Sequence, residues 1–236
     1  MAKKDKTLQK SWKKYAVEFL SIFVAVISAF ALNNWNDNRR DVNAESKILL
    51  EILNGLAKDS VDINYNVGGH QQGIKSCIYW RNIFTNQSMD TTGLRSQYRL
   101  LTRDFLSIQN TSGFETLKSK GFELISNDSL RSKIISLYEF DYQLLFKLEE
   151  QYDELQFHSS YFHKINPFIA PHLIYDPSGE ITGIQLPIQL NERDRQMLLS
   201  YLWKIEMNRK FILGTYQDVH SRVISLSTEI KEELAR

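Results

Sequence analysis

From Tyr15 to Trp35 the chain reads YAVEFLSIFVAVISAFALNNW. Between Phe19 and Leu32 there is no charge, no Gly and no Pro, and only Ser21 and Ser28 are polar. A bilayer core asks for roughly 20 mostly apolar helical residues. The run therefore predicts one transmembrane helix over 15–35. Trp12 and Tyr15 precede it and Trp35 closes it, the placement aromatic side chains favour at headgroup level. A buried core helix and a cleaved signal peptide are the competing readings. The run ends in Leu-Asn-Asn-Trp-Asn-Asp and passes straight into helical spacing. A signal peptide would end in a small-residue cleavage site, so an uncleaved anchor is favoured.

Beyond the anchor, apolar positions recur mostly three and four apart, the helical period. Val42, Ile48, Leu49, Ile52, Leu56, Val61 and Ile63 predict a helix from Asn36 to about Val67, able to run on from the span and ended by Gly68-Gly69. Shorter helices are predicted over 74–86, 94–108 and 114–125, with Asp90-Thr91-Thr92 as a turn and cap cluster. Asn127-Asp128 should cap a long helix over 129–165, stopped by Pro167. Leu173-Ile174-Tyr175, Asp176-Pro177-Ser178-Gly179 and Ile181-Thr182-Gly183-Ile184 read as strand, turn, strand. Asn191 should cap a last helix reaching toward the C-terminus. The expected fold is all-α: one N-terminal transmembrane helix, then an antiparallel helical bundle with a small β-hairpin excursion. Three segments follow: a basic cytoplasmic tail over 1–14, the span over 15–35, and an exported bundle over 36–236.

Charge orients this picture. Lys3, Lys4, Lys6, Lys10, Lys13 and Lys14 precede the span against Asp5 alone, whereas Arg39 and Arg40 follow it. The larger cluster places the N-terminus in the cytoplasm. The expected location is the inner membrane, single-pass, with the bulk of the chain periplasmic. The overall charge of +1 gives no polyelectrolyte signal for nucleic acid. Cys77 is the only cysteine, so no intrachain disulfide can form.

Signals for chemistry are weak. His158 and His163 are five apart, where a helical zinc pair needs four. There is no G-x-S-x-G, P-loop or dinucleotide fingerprint. No enzyme, cofactor or metal is expected. Lys118, Lys120, Arg131 and Lys133 form a basic region, with Asn127, Asp128 and Arg131 read as a helix-start cap.

Two stretches carry a resemblance. One is Glu18, the apolar run and Asn33-Asn34-Trp35-Asn36. The other is Leu117-x-Ser119-x-Gly121 followed by Asn127-Asp128-x-Leu130-Arg131. Together they resemble an uncharacterised Bacteroidota family of single-pass membrane-anchored proteins, whose members show Gly-Glu where this chain has Val17-Glu18. The resemblance implies a place and a fold, not an activity.

The candidate membrane and assembly residues are Glu18, Ser21, Ala25, Ala29, Asn33, Asn34, Trp35 and Asn36. Ser21, Ala25 and Ala29 lie four apart on one helix side, where small residues let helices approach closely in lipid. Glu18 has two readings: assembly use, because intramembrane charges are costly, or snorkelling toward the headgroups. The three asparagines sit where the helix leaves the bilayer. The function expected is a non-enzymatic interaction or scaffold subunit of a bacterial envelope complex. Its partners would be the lipid bilayer and a homo-oligomer or larger assembly. A periplasmic small-molecule sensor with a separate output subunit, and a subunit of an ion-conducting or force-transmitting assembly, are the alternatives.

Overall fold

The computed structural model describes the backbone of residues 4–236 and the side chains of residues 15–236. The lysine cluster and Trp12, on which orientation and the first aromatic flank were read, lie outside the described side chains. The chain is mostly helical with one two-stranded antiparallel sheet. It divides into two compact units, Met1–Ile48 and Leu49–Arg236.

The first helix, α1, runs unbroken from Lys4 to Phe84. Gly68-Gly69 does not end it. From Leu49 onward the buried positions include a continuous seam of Ile52, Leu56, Asp59, Ile63, Asn66, His70, Gly73, Cys77, Trp80 and Phe84. The spacing alternates three and four with no interruption across the glycines, a seam that keeps one helix face turned inward. The glycines serve packing instead. A Cβ at Gly69 would lie 2.3 Å from the Phe105 ring, and one at Gly73 would lie 2.4 Å from Arg209 Nε.

The second helix, α2, spans Leu94–Leu101, seven residues short of the expected end. Gly93, in left-handed conformation, precedes it without a side-chain cap. Asp90 instead accepts from the Thr92 amide at 2.9 Å, a turn of its own. Residues 103–111 form a non-helical strap whose amides are claimed by distant carboxylates. Ser107 N donates to Glu149 at 3.0 Å, Ile108 N to Asp62 at 2.9 Å and Asn110 N to Asp59 at 2.7 Å. These carboxylates replace the helical carbonyls that propensity alone would supply.

Next come α3 (Ser112–Lys120), α4 (Asp128–Ser136), α5 (Tyr142–Glu150) and α6 (His163–Ile169). Asn127 caps α4, accepting from Leu130 N at 3.2 Å. The single helix expected over 129–165 is broken. Wider, π-type turns occupy Leu137–Asp141 and His158–Phe162, and a 3₁₀ turn occupies Asp153–Leu155. Asp104 accepts from the amides of Phe157 (2.7 Å) and His158 (3.2 Å), giving the restarted helix a carboxylate at its start. Pro167 lies inside α6 rather than stopping it.

The hairpin is present as β1 (Leu173–Tyr175) and β2 (Ile181–Ile184), with Leu173 opposite Ile184. Asn191 caps α7 (Glu192–Leu234), accepting from Asp194 N at 2.8 Å. Helix α7 runs antiparallel to α1: Arg81 pairs with Glu206, and Ser60 bonds His220 at 2.8 Å. It is also antiparallel to α4–α5, through Lys133–Glu229 (2.7 Å) and Asp141–Arg222 (2.5 Å). The core therefore lies between α1, α4–α5 and α7. Its α7 seam is Leu198, Leu202, Ile205, Arg209, Ile212, Tyr216, Val219, Val223, Leu226 and Ile230. Phe211 lies off this seam and is 54% exposed.

Candidate functional site

All eight residues singled out from the sequence belong to the first unit. Residues 15–42 are exposed throughout. Among the described residues one helix is long and apolar enough to cross a membrane by length and composition, and its best window has mean hydropathy 2.1 with none of it buried. Twelve large apolar side chains from Tyr15 to Trp35 are 50–73% exposed. Ser21 Oγ donates to the carbonyl of Glu18 at 2.8 Å, so its proton is already used within the helix. Asn33 donates to Asp37 at 3.1 Å. The Arg39 guanidinium lies 5.8 Å from the Trp35 ring centroid, a cation over the aromatic face at the end of the run.

The second unit holds a polar constellation that the periodicity did not reveal. Arg209 is wholly buried. Its Nη2 donates to the carbonyls of Leu100 (3.3 Å), Leu101 (3.2 Å) and Arg103 (2.9 Å). These carbonyls close α2, so the guanidinium caps a helix end whose unpaired carbonyls and dipole both favour a cation. The Phe157 ring centroid is 4.0 Å from its central carbon. Arg209 Nη1 donates to His70 Nδ1 at 3.1 Å. An arginine only donates, so Nδ1 accepts and the proton of the neutral imidazole sits on Nε2. That Nε2 is buried without a hydrogen-bond partner, among the rings of Phe105, Phe157 and Tyr216.

Burial, and then the charge of Arg209, pull His70 down to about 3. Burial lowers Arg209 to about 10, which leaves it a cation at neutral pH. Burial pushes the Cys77 thiol up to about 12. A protonated thiol and a neutral, packed imidazole are not the nucleophile and base of a reactive pair at neutral pH. Glu149 accepts from Ser107 N, from Ser107 Oγ and from the Tyr216 hydroxyl. Desolvation outweighs those bonds and lifts Glu149 to about 7. Asp59 accepts from the Tyr142 hydroxyl at 2.7 Å and is raised by burial. These groups fasten the 103–111 strap to α1, α5 and α7. Their polar atoms are spent largely on each other and on backbone.

No group of three or more His, Cys, Asp or Glu side chains among the described residues is placed to hold a metal ion. The basic region is largely neutralised. Lys118 pairs with Glu139 (2.8 Å), Lys133 with Glu229 (2.7 Å), and Arg131 with Asp128 (2.8 Å) and Glu123 (3.2 Å). Arg131 also donates to the Ile125 carbonyl at 3.0 Å, so the Asn127–Arg131 segment is a helix start bound to its preceding turn.

Comparison with known proteins adds no relative: no family model, no curated protein and no solved structure matches the chain.

One sequence signal did exist for the polar constellation. Asp59, Asn66, His70 and Gly73 occupy inner positions of the α1 seam, and Arg209 lies four after Ile205 and three before Ile212. Polar residues on an otherwise apolar seam mark buried polar contacts. Asp104 had no such signal, because the amides it accepts from lie some fifty residues further along the chain.

Proposed function

We propose that the chain is a membrane-anchored, non-enzymatic interaction or scaffold subunit of a bacterial envelope complex. In this reading an antiparallel helical bundle rides on one transmembrane helix over 15–35, with the N-terminus cytoplasmic and residues 36–236 periplasmic. The proposal keeps the resemblance to the Bacteroidota anchored family. The observation that carries it is the unburied apolar run. Covering a large apolar side chain is worth about 1.5–3 kcal/mol. Twelve of them, 50–73% exposed from Tyr15 to Trp35, forgo on the order of 20 kcal/mol in water. That exceeds the roughly 5–15 kcal/mol by which a domain is stable. Hydrocarbon is the covering medium that suits a run uncharged on every side of the helix from Phe19 to Leu32.

The non-enzymatic part is supported by the state of the reactive groups. His70 and Cys77 are held in the unreactive forms described above, inside a packed core. Self-assembly through the face of Ser21, Ala25 and Ala29 belongs to the same proposal, with close helix packing as its source. The test is extraction. The full chain should stay with membranes through an alkaline carbonate wash, and a version lacking residues 1–36 should be released to the soluble fraction. Release of the full chain by the wash would end the membrane reading.

A further inference from the structure

Three surface grooves in the second unit carry cationic side chains, and in two of them the cations are already matched. Between α4 and α7, Lys133 faces Glu229 at 2.7 Å and Arg222 faces Asp141 at 2.5 Å. Beside the start of α2, Arg95 pairs with Glu180 at 3.2 Å and donates to the Ile181 carbonyl. The third groove differs. It has a volume of about 370 Å³ and is lined by Tyr98, Arg99, Thr102, Arg103, Asp104, His158 and Phe162. Neither Arg99 nor Arg103 has a carboxylate partner among the described residues; the Arg103 guanidinium lies 5.9 Å from the Phe105 ring centroid.

The rest of the lining fixes the sign of the site. Asp104 is the one acid in it. Its oxygens accept from the amides of Phe157 (2.7 Å) and His158 (3.2 Å), and the buried Arg209 cation acts on it from beneath. The half-buried Asp104 carboxylate is thus offset by the buried Arg209 cation, and two unmatched guanidinium groups remain at the surface. The wall opposite is a π-type turn, a feature that recurs at functional sites. On it the His158 and Phe162 rings stack with centroids 4.7 Å apart. Tyr98 is held by its hydroxyl, which donates to Asn166 at 2.5 Å.

We infer that this groove is a binding site for a small organic phosphate, with Arg99 and Arg103 taking the phosphoryl oxygens and the His158–Phe162 and Tyr98 rings flanking the organic part. Guanidinium forks match phosphate oxygens in geometry and charge. A volume of about 370 Å³ falls in the range, roughly 300–1,000 Å³, of sites that take small molecules. The phosphoryl group can come from a free metabolite or from a lipid headgroup. The inference is independent of the membrane reading, since every residue in it belongs to the second unit.

The test is calorimetric titration of the full chain in neutral detergent with three probes. They are adenosine monophosphate, inorganic phosphate and the soluble short-chain lipid dihexanoyl phosphatidic acid; adenosine and dihexanoyl phosphatidylcholine serve as controls. At least one phosphate-monoester probe should bind with both controls silent, and Arg99→Gln with Arg103→Gln should weaken it at least ten-fold. Preference for the nucleotide assigns a free metabolite, and preference for the phosphatidic acid assigns a headgroup. Arg95→Gln, which removes a nearby but matched cation, should leave binding unchanged. No binding of any phosphate probe at millimolar concentration would overturn the inference. So would equal loss in Arg95→Gln, or retention of binding in a folded Arg99/Arg103 double variant.

Discussion

Replacing Glu149 with Gln tests whether desolvation governs the carboxylate that holds the 103–111 strap. Glu149 is 6% exposed and accepts from Ser107 and Tyr216. Its ordinary value of 4.5 rises to about 7 in the fold, chiefly through burial. Between those two values the folded chain holds a proton that the unfolded chain has released. Stability therefore falls as pH rises through this window, because the native state binds more protons. Each pH unit of displacement is worth 1.36 kcal/mol, so the full window is worth about 3 kcal/mol. Glu149→Gln keeps the shape and the acceptor oxygen but does not titrate. Urea unfolding of the full chain in detergent, followed by near-ultraviolet circular dichroism, gives the stability gap between parent and variant. That gap should move by about 3 kcal/mol in favour of the variant between pH 4.5 and pH 8. Raised carboxylates elsewhere, Asp59 and Asp104 among them, are common to both proteins and cancel to first order. A gap constant to within about 1 kcal/mol would show that Glu149 ionises normally in the fold, and the account of the strap would fail.

The glycines separate packing from helix propensity. Gly73→Ala should destabilise by about 1–3 kcal/mol, because its Cβ falls against the fixed Arg209 guanidinium. Gly68→Ala meets nothing within 4 Å and should stabilise by about 0.5–1 kcal/mol; thermal melts that rank the pair the other way would reject the packing account. Gly121 has φ +101° with open space around it. It is thus a turn residue, not the close helix contact that its place in an apolar pattern suggests. Ala and Leu there should cost about the same, roughly 1–3 kcal/mol of backbone strain, whereas a much larger loss for Leu would restore the packing role. In native membranes, Ala25→Ile with Ala29→Ile should lower the yield of cross-linked oligomers at equal expression. An unchanged yield would leave only the second unit as an assembly surface.

What could be read from the sequence and what could not divides along physical lines. Features set by neighbours in the chain were legible: the uncharged run from Phe19 to Leu32, the caps at Asn127 and Asn191, and the Asp176–Gly179 turn. Features set by distant partners were not. Gly68-Gly69 looked like a terminator because glycine disfavours helix locally, yet the inward seam of α1 passes through it, and Phe105 and Arg209 need the room. Residues 103–108 carry helical spacing, yet carboxylates from α1 and α5 take their amides. Gln151–Phe157 looked continuous with a long helix, but Asp104, some fifty residues earlier, supplies a new helix start. Arg209 lies within the apolar stripe of α7, where a charge is ordinarily solvated. Here it is buried by closing α2.

The central claim is that residues 15–35 cross a membrane and leave the helical unit on the far side from the N-terminus. Sidedness of labelling tests it most directly. Cys77 is buried, so the parent should give little background with a membrane-impermeant maleimide. With Lys6→Cys and Gln87→Cys made separately, intact spheroplasts should label the Gln87→Cys protein and leave the Lys6→Cys protein unlabelled until lysis. Labelling of both proteins in intact spheroplasts, or of neither before lysis, would place the two ends on the same side and contradict the claim.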